Sequence, residues 1–284
     1  MYLLDHKDLR SDVPDSVPLS RLEGLEDRVL LYPVCGGDFL VPVLHFAPFI
    51  DVFWMVDRGY FRPGHQDTRF FGLDQPADTV SPILKDPALD FQGATLEGPP
   101  AIDSRGVHIT PCVLTEEYIH LPTGRSIQVK FRRGYGHSTF DKEISRLSIF
   151  FYRGDSQGEG GSGNNWYKRD PGKRIWDKLV DGGWLVTDLS NSYSQDAFLE
   201  IAIEQNLDTL QKASELLDPM YQFYSESIDR TFKCIGTLSD RYRPCLIFQI
   251  TKGDTREEGA PKRPLLSKRE WKKILKAKLF PKEE

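Results

Sequence analysis

The sequence predicts an α/β protein built on a doubly wound, mostly parallel sheet of seven strands that ends in an antiparallel hairpin. Three observations point there. Runs such as Val29 to Val34, Ile50 to Val56, Leu147 to Tyr152 and Trp184 to Asp188 are nearly continuous in apolar residues rather than alternating, the pattern of strands covered on both faces. The first two runs enclose a glycine turn and one short helix's length of apolar chain, a β-α-β unit of about 30 residues. The segments that follow the candidate parallel strands are CGGD, DRG, RGYGH, RGDSQGEGGSG and DLSNS. All are polar or glycine-rich, and in an open parallel sheet such loops share the carboxyl edge, where ligands bind.

Taken in order, residues 1–27 are mixed in character and contain proline, and they read as an irregular arm on a domain spanning 28–252. Val29 to Val34 is the first strand and ends in Cys35-Gly36-Gly37-Asp38. Phe39 to Phe46 is a short helix, and Ile50 to Val56 a second strand closed by Asp57-Arg58-Gly59. Residues 61–106, rich in Pro, Gly and Asp, read as a long irregular insertion. Val107 to His120, the turn LPTGR and Ser126 to Arg132 form a hairpin. A short helix, STFDKEIS, leads into Leu147 to Tyr152.

After the glycine loop, Gly172 to Val180 reads as a helix stopped by Asp181-Gly182-Gly183, and Trp184 to Asp188 as a buried strand. Gln195 to Leu217 carries leucines and an isoleucine at helical spacing. Thr231 to Leu238 and Pro244 to Thr251 close the domain as an antiparallel pair. The tail, 253–284, holds one helix over 268–280. Ser267 and Glu270 have capping-box spacing there, and Leu266 and Trp271 that of a hydrophobic staple. Its apolar stripe, Trp271, Ile274, Leu275 and Leu279, is fit to pack on the body or on a second copy of the chain.

Composition narrows the function classes. With 39% hydrophobic and 12% aromatic residues, the 284-residue chain has enough apolar content for a full core. The N-terminus places charges where a signal peptide needs an apolar stretch, and no run approaches the roughly 20 apolar residues of a membrane span. Four cysteines lie scattered without CxxC spacing, which argues against a zinc site or a disulfide framework. These features predict a cytoplasmic, reduced protein. From Lys252 onward 11 Lys/Arg stand against 6 Asp/Glu, which leaves the preceding body with 26 basic and 36 acidic residues. An acidic body speaks against general nucleic-acid binding, because phosphate neutralisation supplies most of that affinity. The partner expected is a small molecule.

The candidate site gathers on the polar edge. Glycines allow close backbone approach, so Cys35, Gly36, Gly37 and Asp38 are candidate ligand contacts, and Asp57 with Arg58 stands beside them. In the stretch after Tyr152, the backbone can form an anion-binding nest. There Arg153, Ser156, Gly160, Gly161 and Ser162 are candidate substrate contacts. Asp155 and Glu159 are candidate general bases, or oxygen ligands for Mg²⁺. His137 in GYGHS is a further candidate, and Arg132 and Arg133 could clamp an anion. Each has a plainer alternative. Asp38 could cap the following helix, Asp57 could pair with Arg58, and His137 could be structural.

The order of β-α-β unit, hairpin, second β-α-β unit, long helix and terminal antiparallel pair resembles that of class I S-adenosylmethionine-dependent methyltransferases. VLLYPVCGGDFL (Val29 to Leu40) is similar to the family's first motif, a glycine turn beneath the cofactor's methionine part. Asp57 matches the acid that holds the ribose hydroxyls. KLVDGGWLVTD and RTFKCIGTLSDRYRPCLIFQITK resemble the fifth-strand segment and the terminal hairpin. The likeness covers about 29 to 252 and rests on topology more than on letters. It implies S-adenosylmethionine as cofactor and an acceptor held against Arg153 to Gly161. The chain departs from the family in having Pro33 and Val34 where an acid is usual, adjacent glycines, and no Asn/Asp-Pro-Pro-aromatic motif after the fourth strand. A nucleotide or phosphosugar enzyme using Mg²⁺, and a non-catalytic binding or assembly protein, stay open beside it.

Overall fold

The computed structural model describes residues 17–33, 35–57, 82–97, 113–133, 143–153, 169–187, 222–225, 228–238 and 245–258. A 3-10 turn, Leu19–Leu22, precedes β1, Val29–Pro33, which leads to helix α1, Leu40–Phe46, and β2, Val52–Asp57. Then come β3, Leu89–Glu97, β4, Val113–His120, β5, Arg125–Arg133, and β6, Leu147–Tyr152. Helix α2, Arg169–Lys178, runs directly into β7, Leu179–Thr187, followed by β8, Gln222–Ser225, β9, Arg230–Leu238, and β10, Cys245–Lys252.

The ten strands among the described residues form one sheet in the order β3-β4-β5-β2-β1-β6-β7-β10-β9-β8. Four neighbouring pairs are parallel, β5-β2, β2-β1, β1-β6 and β6-β7. The other five are antiparallel. The expectation of a doubly wound, mostly parallel seven-stranded sheet is therefore corrected: the described residues are mostly strand, arranged as a single ten-stranded mixed sheet.

The extra strands have physical reasons for escaping notice. β3 lies inside the segment read as irregular, and its alternation is interrupted where the register with β4 shifts between Phe91 and Gly93. β8 is four residues, QFYS, too short for any period to show. β7 begins earlier than expected. Asp181-Gly182-Gly183, read as a turn, is an irregularity within the strand, where the pairing with β6 shifts between Leu147 and Ile149. Gly182 has φ +77°, and a Cβ at Gly183 would come within 2.8 Å of the Val180 carbonyl oxygen. Glycine here lets the strand bend rather than stop.

Parallel strands bury both faces, and β1 and β6 at the centre of the sheet do so. One apolar cluster joins Leu30, Tyr32, Phe53, Phe131, Ile149 and Phe151 to Val43 and Phe46 of α1, and reaches Ile83 and Leu84 ahead of β3. A second joins Leu31, Val56, Phe150, Tyr152 and Phe248 to Ile175 and Trp176 of α2. The alternation along β1 and β6 sends consecutive residues into opposite clusters. All six residues of β6 are buried. No described helix is long and apolar enough to cross a membrane. The expected helices over Gln195 to Leu217 and 268–280, and with the latter any contact between copies, lie outside the described residues.

Candidate functional site at the carboxyl rim

β1 has β2 on one side and β6 on the other, so the chain leaves in opposite directions from the two flanks of β1. At such a switch point the loops after the strands part and leave a crevice. The residues after β1, at the end of β2 and after β6 meet here.

The turn after β1 is fixed from both sides. The Cys35 N–H donates to the Val56 carbonyl (3.2 Å), and the Asp38 N–H to the Cys35 carbonyl (2.9 Å). Gly36 takes φ +53°, and among the described residues no atom beyond its chain neighbours lies within 4 Å of where a Cβ would stand. Its N–H donates to Oδ2 of Asp57 at 3.1 Å. Gly36, Gly37 and Asp57 thus sit on one rim.

Asp38 does not cap α1. The residue before the helix is Phe39, which makes no side-chain capping bond and instead packs edge-on against Phe131. The Asp38 carboxylate reaches across the crevice to Arg153. Nε donates to Oδ2 and Nη2 to Oδ1, both at 2.7 Å, the two-pronged geometry that suits guanidinium and carboxylate. Tyr32 of β1 adds its hydroxyl as a donor to Oδ2 at 2.8 Å.

Depth orders these groups. The Arg153 side chain is 3% exposed and that of Asp38 19%, so the carboxylate lies on the solvent side of the guanidinium. Arg153 stands over the Phe151 ring at 5.3 Å, and Nη1 points to the Cys245 thiol at 3.9 Å. Burial works against the charge on Arg153, but Asp38, with Cys245 and Tyr32, holds its pKa above the ordinary value. Burial, then Asp38, pushes the Tyr32 phenol well up, so it stays a donor.

Of the sequence candidates, Cys35, Gly36, Gly37, Asp38, Asp57 and Arg153 are brought to this one rim. Arg58, His137, Asp155, Ser156, Glu159, Gly160, Gly161 and Ser162 lie outside the described residues. Arg132 faces elsewhere: it is buried on β5 and donates through Nε to Glu143 at 2.7 Å. Tyr32 and Cys245 were not singled out in the sequence. The one available signal for Tyr32 was a hydroxyl within an otherwise apolar strand. Cys245 offers none, since only strand order brings it beside Arg153. Among the described residues no group of three or more His, Cys, Asp or Glu is placed to hold a metal ion.

Compared with protein-family models, with curated proteins and with solved structures, the chain matches none.

Proposed function

We propose that the carboxyl rim between β1, β2 and β6 binds an adenosine-bearing cofactor, S-adenosylmethionine first among them, and that the chain is a methyltransferase for a small acceptor. The observation that carries this reading is the layering of charge. A ligand entering the crevice meets Asp38 and Asp57 before it meets Arg153, whose guanidinium lies beneath Asp38. Carboxylates at a rim accept hydroxyl, ammonium and sulfonium groups. They repel phosphates unless a cation intervenes. A ribose diol and a cationic sulfur fit that lining, and among the described residues nothing beyond its chain neighbours crowds Gly36, which leaves the ligand room beside the backbone.

In this reading the bound cofactor supplies the electrophilic methyl group. Asp57 accepts from the ribose hydroxyls while holding the Gly36 N–H. Asp38, fixed by three donors, orients the cationic part. Asp155 or Glu159, two and six residues after Arg153, takes the proton of the acceptor.

Isothermal titration with S-adenosylmethionine and with its demethylated product tests the proposal; ATP with and without Mg²⁺ serves as the rival ligand. The expected result is binding of the first two and none of ATP. Heat with neither sulfur compound, or a Mg²⁺-dependent preference for ATP, removes the reading.

The non-catalytic alternative also has an observation in its favour. Asp38, Arg153 and Tyr32 satisfy one another without any ligand, as in a structural tie between strands. Binding of S-adenosylmethionine without methyl transfer to any acceptor in a labelled cell extract would favour it.

A further inference from the structure

We propose that Glu116 and Tyr118 form a pH-sensitive catch that holds the segment before β3 against the sheet, tight in mild acid and loosened above neutrality. Glu116 is 0% exposed, on the face of β4 that carries Leu114 and Tyr118 into the first apolar cluster. Its two carboxyl oxygens receive the Ile83 N–H at 2.9 and 3.2 Å. The Tyr118 hydroxyl donates to the same carboxyl and accepts the Leu84 N–H at 3.2 Å. Two side chains of one strand thus grip two consecutive amides of a segment more than thirty residues away, and Ile83 and Leu84 cover them.

A carboxyl so enclosed is costly to ionise. Among the described residues, Tyr118 is its titratable neighbour. The residues paired with Glu116 across the sheet, Ala94 on β3 and Val129 on β5, are apolar. The covering segment presents Ile83 and Leu84, with Lys85 exposed and Asp86 half-buried after them. Helix α1, which shares the cluster, carries one titratable group, His45. Burial therefore dominates, opposed by the hydrogen bonds from Tyr118, Ile83 and Leu84, and pushes the carboxyl up from 4.5 to about 7.

The sign follows from that direction. The folded value lies above the unfolded one, so the closed segment gains most when Glu116 is protonated and loses that gain as pH rises from 4.5 to 7. Opening exposes the carboxyl to water, where it ionises freely.

Hydrogen exchange of the full chain between pH 5 and pH 8, corrected for intrinsic chemistry, reads the catch at the Ile83 and Leu84 amides. The expected opening constant rises about tenfold per pH unit between 5 and 7 and levels off above, while Glu116→Gln flattens the profile. The amides of Leu246 to Phe248 in β10 serve as the control that needs no variant. A flat wild-type profile at Ile83 and Leu84, a slope shared equally by β10, or an unchanged slope in Glu116→Gln overturns the proposal.

Discussion

Arg153 grips Asp38 across a sequence separation of 115 residues, with both prongs at 2.7 Å. The contact ties the residue that follows β6 to the turn that leaves the neighbouring strand β1. It also decides what a ligand at this edge can meet first.

Removing one partner breaks a charge pair whose guanidinium is almost fully buried. Asp38→Ala is therefore expected to destabilise by about 3 kcal/mol or more, whereas the double change Asp38→Asn with Arg153→Met loses much less. Urea denaturation of both variants checks this. Equal losses in the two would mean that packing, not charge pairing, holds the contact.

Tyr32→Phe deletes one of the three donors on Asp38 without opening a cavity. The expected loss of stability is about 1 kcal/mol, together with weaker binding of S-adenosylmethionine because the carboxylate is less firmly oriented. Binding unaffected by this change would separate Asp38 from ligand recognition.

Asp57→Asn keeps an oxygen for the Gly36 N–H but discards the charge. Thermal stability should change little, while affinity for S-adenosylmethionine drops about tenfold, or about 1.4 kcal/mol. Unchanged affinity in titration calorimetry removes Asp57 from the site.

Glu116 makes the difference in stability between wild type and Glu116→Gln depend on pH. Wild type should lose roughly 3 kcal/mol relative to the variant as pH rises from 4.5 to 7, the sign set by a raised carboxyl. Denaturation curves of both proteins at pH 5 and pH 8 supply the comparison. A difference independent of pH contradicts it.

At Gly183 an added methyl meets the Val180 carbonyl oxygen and Leu179 Cγ at 2.8 and 2.9 Å. Gly183→Ala should cost about 1–3 kcal/mol through overpacking, seen as a lowered melting temperature. A neutral result would mean that the bend in β7 has slack.

The sequence made part of this legible. β1, α1, β2, β6 and the β4-β5 and β9-β10 pairs stand close to where apolar runs and glycine turns put them. Those signals are local, carried by residues such as Leu30, Phe53 and Phe150. What failed was the count and balance of the sheet. β3 hides its alternation at a bulge next to Gly93, β8 is a single turn's length, and the glycines of β7 bend a strand they were expected to end.

The candidate site divides the same way. Glycine and acid at strand ends marked Gly36, Asp38 and Asp57. The depth of Arg153, and its grip on Asp38 rather than outward reach, depend on how β6 seats between β1 and β7. Glu116 carries no local signal, because the segment that seals it is distant in sequence.

β1 also has a temporal asymmetry. Leu30 finds Phe53 within a short stretch of chain, but on its other flank must wait for Ile149, more than a hundred residues later. During synthesis that flank is an unpaired, apolar edge for many seconds, open to any other nascent strand. Fragments ending before residue 147 should clump, and chaperones that shield extended backbone should matter more to this chain than to a helical protein of equal size.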